Sequence, residues 1–477
     1  MTSAQLESLM FSTMLLGVFL LIGMFVRAKV SIFRKLLIPA SIIGGAVGLI
    51  LGPSVLGKTG INLIPQDWVN IWALEPGILI LPLFSSLPLC NFKDDHDQKI
   101  SAMPKRKLYS VLMTGFVKGP TFALQMFFGV GVALLIQGFF PNLFFYPGFG
   151  CEMPHGFNGS HSLAGVLGGV LRDGGRDYWE IAQGVGLCYA TIGLLGGIML
   201  GIFFINRAIK NGKTQIVTEK TAFSDNVTYG YIRRVSEQGN LGRETTESSN
   251  ANTVSIHLAL VLIVSFMGYS LRAYFKYMKF GFLSDLPAYI WSIIIGYVVN
   301  YVMNKLRLGW LFDKKAKSII TGVCTDYIIL SAMASINIDL IASYMVPILI
   351  ISAVGFVVTY FMTFVAFSFF MPGNYAFERA IAGWGTNTGF AATELALLNI
   401  VDPNFKSPVL EELNLGGIIF NLKDIIFVPL YLKYIVSGEP YAILMVAAVE
   451  IVIMYSVCFV IRALDLKEQK KEGLAVK

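Results

Sequence analysis

Long apolar segments separated by short polar ones dominate the chain. An apolar run of about 18 or more residues reads as a membrane-crossing helix, because about 20 residues cross ~30 Å of hydrocarbon. The pattern predicts such segments near 7–26, 37–53, 70–90, 109–138 and 178–206. After a polar stretch at 207–252 it predicts more near 253–272, 286–304, 318–337, 343–371, 410–432 and 439–462. Two stretches depart from it. One is Gly156-Phe157-Asn158-Gly159-Ser160-His161-Ser162-Leu163-Ala164-Gly165, running on to Gly168-Gly169; the other runs from Ala382 through Gly385-Thr386-Asn387-Thr388-Gly389 to Thr393-Glu394. Both are too polar and too rich in glycine for a lipid-facing helix. Non-helical backbone at membrane depth survives only where protein buries it or where it lines a cavity. They are therefore expected to be re-entrant hairpins, near 150–170 and 376–400, that meet at one solute site. The expected fold is an all-α polytopic membrane protein with about eleven transmembrane helices and two re-entrant hairpins.

Composition agrees. Hydrophobic residues make up 55% of the chain and charged residues only 14%, as in an integral membrane protein. The net charge of +7 is not a nucleic-acid footprint, because the basic residues sit at the ends of spans. With the N-terminus outside, the segments 27–35, 91–107, 207–252, 305–317 and 462–477 face the cytoplasm and carry most of the 37 Lys and Arg. That asymmetry fits the positive-inside rule. The five cysteines are scattered and form no CxxC pair, so neither a disulfide framework nor a zinc site is expected. No n-region and cleavage site precede the first span, so no removable signal peptide is expected.

Five expected spans precede 207–252, so the second half begins on the opposite side from the first. Residues 1–206 and 253–435 then read as inverted repeats, 207–252 as a cytoplasmic linker and 436–477 as an extra span with a basic tail. Ile38-Pro39-Ala40 and Leu286-Pro287-Ala288 open the second span of each half, and each half places its hairpin between its fourth and fifth spans. The prolines Pro76, Pro82 and Pro88 mark the third span as a candidate broken helix. Gly193, Gly197 and Gly201 share one helix face, which suits either a sliding contact beside a hairpin or ordinary close packing.

Charges inside spans are costly and are candidates for function. Asp424, midway along the span after the second hairpin, is a candidate ligand for Na+ or H+. Its neighbour Lys423 either pairs with it or attracts a substrate carboxylate; a structural ion pair is the alternative. Hard cations take oxygen ligands, so Thr393, Glu394 and Asn421 join Asp424 as candidate Na+ ligands. Helix N-termini at the hairpin tips suit an anionic solute. The candidate substrate contacts are Asn158, Gly159, Ser160, His161, Ser162, Thr386, Asn387, Thr388, Gly389 and Lys423. Asp326 is a weaker candidate, Glu75 suits a helix start, and Glu378-Arg379 is expected at the membrane interface. Gly52 to Thr59 matches GxxxxGK[ST], but it ends a span and lacks the strand and helix that such a phosphate loop needs. No nucleophile–base pattern marks an enzyme, and no cofactor is expected beyond Na+ as coupling ion.

These residues resemble the bacterial sodium/glutamate symporter family over most of 1–435. Gly159-Ser160-His161-Ser162 stands where the family carries a Gly-Gly-His-Gly-Thr-type core. Ala190 through Gly197, Ala382-Gly383, Ala392-Thr393 through Asn399, Met345-Val346-Pro347, and Asp424 within Ile419 to Ile425 also fit. Ser162, Trp384, Glu394 and Lys423 depart from the pattern, as does the eleventh span, which is similar to a divergent branch. The resemblance implies Na+-coupled symport of L-glutamate or a related small carboxylate, in a homodimer of the bacterial cytoplasmic membrane. It implies an elevator motion that carries the hairpins past a fixed scaffold. The competing readings are a proton-coupled carboxylate carrier or cation/proton antiporter, favoured by Lys423 beside Asp424, and more remotely a passive channel.

Overall fold

A computed structural model describes the chain except residues 1, 37, 91–103, 141–144, 218–228, 248, 280–287, 374, 404–405 and 472–477. The expectation placed on Leu286-Pro287 lies outside the described residues. The described part is helical. The principal helices are α1 (Ser3–Lys29), α2 (Ala40–Leu51), α3 (Gln66–Ser86), α4 (Lys105–Lys118), α5 (Thr121–Phe139), α6 (Glu152–Phe157), α7 (Ser160–Asp173) and α8 (Trp179–Lys210). They continue with α9 (Thr253–Tyr277), α10 (Ala288–Lys305), α11 (Lys314–Ala334), α12 (Met345–Tyr360), α13 (Ala376–Thr388), α14 (Ala391–Val401), α15 (Val409–Ser437) and α16 (Pro440–Lys471). Among the described residues, 9 segments are long and apolar enough to cross a membrane. The remaining two expected spans fall on α10 and α15. The chain is thus a polytopic helical membrane protein.

Regular helices are interrupted in a few places, and each interruption has a local cause. Gly119-Pro120 divides α4 from α5, where proline removes one backbone donor; Thr121 Oγ1 donates to the Lys118 carbonyl at 3.0 Å. Asn158-Gly159 divides α6 from α7, and Ser160 takes a left-handed φ of 60° there, a conformation that costs a non-glycine residue energy. Gly389-Phe390 divides α13 from α14. After α12 the helix runs through a π-type turn, Phe361–Val365, before Ala366–Phe370. The break expected in the third span is absent: α3 passes through Pro76 and Pro82, and Pro88 lies beyond its end. The equivalent disruption falls in the next span instead, at Gly119-Pro120.

The helices pack as two groups. One joins α1, α2, α3, α9, α10 and α11; the other joins α4, α5, α8, α12, α15 and α16 with the short pairs α6–α7 and α13–α14. Helix α7 reaches between the groups, lying against α8 as well as α3 and α11. The glycine face of α8 is a close-approach surface. Gly193 faces Phe157 of α6 and the Thr388 carbonyl of α13, Gly197 faces the Thr388 side chain, and Gly201 faces Leu397 and Trp384. Both short helix pairs therefore seat on one face of α8.

Candidate functional site where the interrupted helices meet

Asn158 and Asn387, one from each interrupted stretch, meet directly: Asn158 Nδ2 donates to Asn387 Oδ1 at 2.6 Å. Asn387 is fully buried and is held from two further sides. Its backbone carbonyl, near the C-terminus of α13, accepts from Gln125 Nε2 at 2.8 Å, and its own Nδ2 donates to Thr121 Oγ1 at 3.3 Å. Gln125 Nε2 also donates to Thr359 Oγ1 at 2.8 Å, which ties in α12. Carbonyls at a helix end lack intrahelical donors, so an amide supplied from α5 satisfies one that the break leaves open. Interruptions distant in sequence thus share one polar centre.

Beside this centre lies a cavity of about 390 Å³ whose wall includes Lys118, Asn158, Thr386, Glu394 and Asn414. Lys118 Nζ lies 2.9 Å from Glu394 Oε2, and both side chains are mostly buried. Thr386 Oγ1 donates to the same carboxylate oxygen. Lys118 ends α4 and Glu394 lies in the first turn of α14, so each charge complements the dipole of its own helix. A second cavity, about 320 Å³ and mainly apolar, is lined by Asn158, His155, Asp424, Tyr297, Tyr431 and further apolar side chains. Asn158 belongs to both walls.

Of the expected substrate contacts, Asn158, Thr386 and Asn387 stand at this centre. Ser160 and Ser162 stay at the first break: their hydroxyls lie 3.3 Å apart, and Ser162 Oγ is 3.4 Å from the Gly159 carbonyl. His161 is buried against α8, with Nε2 3.0 Å from Thr191 Oγ1, and lines neither cavity. Thr388 is buried on the glycine face, its hydroxyl donating to the Trp384 carbonyl at 2.8 Å. Gly389 supplies the second break, with Thr393 packed beneath it. The expected cation ligands are divided. Glu394 lines the polar cavity, Asp424 lines the apolar one, and the side chain of Asn421 is outside the described residues. Lys423 points toward α16, where Nζ is 2.8 Å from Asp424 and 2.9 Å from the fully buried Glu450. Tyr431 Oη completes that cluster by donating to Glu450 at 2.8 Å.

Some partners were not anticipated. Lys118, a cation within an apolar run, and Gln125, an isolated amide in the same span, both carry a sequence signal as costly intramembrane polar groups. Glu152, fully buried at the start of α6, accepts from Tyr146 Oη and the Gly150 N–H, each at 2.8 Å. Glu378 and Arg379 are both fully buried within the protein. Arg379 Nε donates to Glu412 at 2.7 Å and Nη2 lies 2.7 Å from the same carboxylate oxygen, while Glu378 accepts from the Gln215 N–H at 2.6 Å. Lys58, within the phosphate-loop match, instead forms an exposed ion pair with Asp339 at 2.6 Å.

An all-helical polytopic membrane protein with interrupted helices around a shared polar centre has the build of a membrane transporter. The family model for the sodium/glutamate symporter matches residues 114–403, more than half of the chain. The chain belongs to that family, which is one of transporters and not of enzymes. The match includes Lys118, Gln125, Asn158, Asn387 and Glu394 and ends before Asp424 and α16. Among curated proteins none matches the chain.

Proposed function

We propose that the protein is a secondary active symporter in which a Na+ gradient drives uptake of L-glutamate or a related small carboxylate across the bacterial cytoplasmic membrane. The observation that carries this reading is the direct Asn158–Asn387 contact, which joins two interrupted helix pairs beside a cavity bearing an ion pair. We read α6–α7 and α13–α14 as re-entrant hairpins entering from opposite faces, with the N-terminus outside and residues 207–252 and the C-terminus in the cytoplasm. Pairings across the halves support an inverted repeat of 1–206 on 253–435. Helix α3 packs on its counterpart α11, and α5 on its counterpart α12. The first two helices of each half also pack alike, α1 on α2 and α9 on α10. A two-fold relation places elements in this way.

The two packing groups support an elevator motion, with the hairpin-bearing group moving along α3 and α11 past the other. The resemblance extends the reading to a homodimer. Solute sits at the Asn158–Asn387 centre with Thr386 and the α14 N-terminus. Na+ binds beside it through carboxylate and hydroxyl oxygens, with Asp424, Glu394 and Thr393 as candidates. Cation binding drives closure only through its higher affinity for the closed state. The test is uptake of labelled L-glutamate and other carboxylates into proteoliposomes under an inward Na+ gradient, with K+ and H+ gradients as controls. Uptake that needs Na+ is the expected result; uptake driven equally by H+ alone would favour a proton-coupled carrier.

A further inference from the structure

The charge of the polar cavity bears on which carboxylate it accepts. Among its described lining residues the only charged groups are Lys118 and Glu394, and they face each other at 2.9 Å. The remaining polar groups on that wall are neutral: Thr114, Asn158, Thr386 and Asn414. Glu412, which accepts from the wall residue Thr114 at 3.2 Å, is itself neutralised by Arg379. Glu394 occupies the first turn of α14, where an unoccupied helix N-terminus would attract an anion. The protein's own carboxylate therefore stands where a second carboxylate of a solute would be drawn.

We infer that the solute is a zwitterion with no net charge, an amino acid whose side chain carries no free carboxylate. Its α-carboxylate pairs with Lys118 and its α-ammonium with Glu394, so that it enters the existing ion pair by exchanging one partner for another. The amides of Asn158 and Asn414 and the Thr386 hydroxyl suit a neutral polar side chain such as a carboxamide. A dicarboxylate leaves its second carboxylate against Glu394, a like-charge contact in a partly desolvated site. A cavity of about 390 Å³ has room for an amino acid of this size. This inference rests on the proposed transport of small carboxylates and narrows their class.

The test is equilibrium binding to the purified full-length protein, read by thermal shift and isothermal titration in NaCl and again in choline chloride. The probes are L-glutamine, L-alanine, L-glutamate and glutarate. The expected ranking on the unmodified protein places L-glutamine at least about tenfold tighter than L-glutamate and glutarate. In Glu394→Gln that ratio should move toward L-glutamate by about tenfold or more, since Lys118 is then free of its intramolecular carboxylate. L-glutamate or glutarate binding as tightly as L-glutamine to the unmodified protein would overturn the inference and leave Na+-driven symport standing. Absence of binding by either zwitterion would also overturn it, as would an unchanged ratio in Glu394→Gln. Conversely, the expected ranking found equally in Na+ and choline would support the inference and count against Na+ coupling.

Discussion

The glycine face of α8 gives a sharp mechanical prediction at Gly197. A Cβ added there lies 2.7 Å from the Thr388 Cβ and closer still to its hydroxyl. Carbon atoms in ordinary contact sit about 3.5 Å apart or more, so Thr388 or α8 must yield by about 0.8 Å. Neither is free to do so. Thr388 is tied to the Trp384 carbonyl at 2.8 Å, and Trp384 Nε1 donates to the Gly197 carbonyl itself at 2.7 Å. Overpacking of this kind costs about 1–3 kcal/mol. If it falls on the conformation described here, that conformation loses about 5- to 150-fold in population against any state in which α13 stands off α8. Gly322 supplies the matched control: nothing lies within 4 Å of a Cβ placed there. Alanine in a helix interior is ~1 kcal/mol better than glycine, so Gly322→Ala should hold or raise the melting temperature while Gly197→Ala lowers it. Both variants would be compared by thermal unfolding in detergent and by initial uptake rate in proteoliposomes. Gly197→Ala indistinguishable from Gly322→Ala in both assays would refute the claim that α8 and α13 are pressed together at this point.

Other outcomes follow from the ion pairs. Arg379→Met leaves Glu412 buried with Ser110 and Thr114 as its donors among the described residues, and losing one partner of a buried pair costs about 3–5 kcal/mol. Unfolding of Arg379→Met should show a large loss, and Arg379→Met with Glu412→Gln a smaller one; equal losses would mean the pair is not coupled. Asp424→Asn should abolish Na+ stimulation of uptake while the protein stays folded. Glu450→Gln should lower stability and leave Na+ dependence in place. The reverse pattern would transfer the cation role from Asp424 to the α16 carboxylate.

Much of the architecture was legible because membrane solvation is a strong constraint on composition. Every expected span falls on a helix, and the two glycine-rich stretches end near the predicted limits, at 152–173 and 376–401. Backbone interruption was less legible. Three prolines pointed at α3, yet a lone proline in a packed membrane helix is accommodated by its neighbours, and Gly119-Pro120 was the pair that interrupted one. The site was legible only in part. Asn158 and Asn387 could be named because each lies inside a marked stretch. That they bond to each other across 229 positions is a matter of tertiary packing. Lys118 lies 276 positions from Glu394, and no local pattern joins them. Lys423 was legible as an unusual charge, but its partner Glu450 lies on α16, the helix that follows α15. Local sequence marks costly residues; which of them neutralise one another is set by the packing of helices.

The most direct test of the central claim, that solute and Na+ meet at the Asn158–Asn387 centre, is protection of a cysteine placed on its wall. Thr386→Cys would be labelled with a small water-soluble thiol reagent in proteoliposomes. The unmodified protein gives the background, since its own cysteines are buried or half-buried. The account predicts that transported solute and Na+ together slow labelling several-fold, and that solute in choline does so far less. Labelling at the same rate with and without solute and Na+, in a protein that still transports, would contradict it.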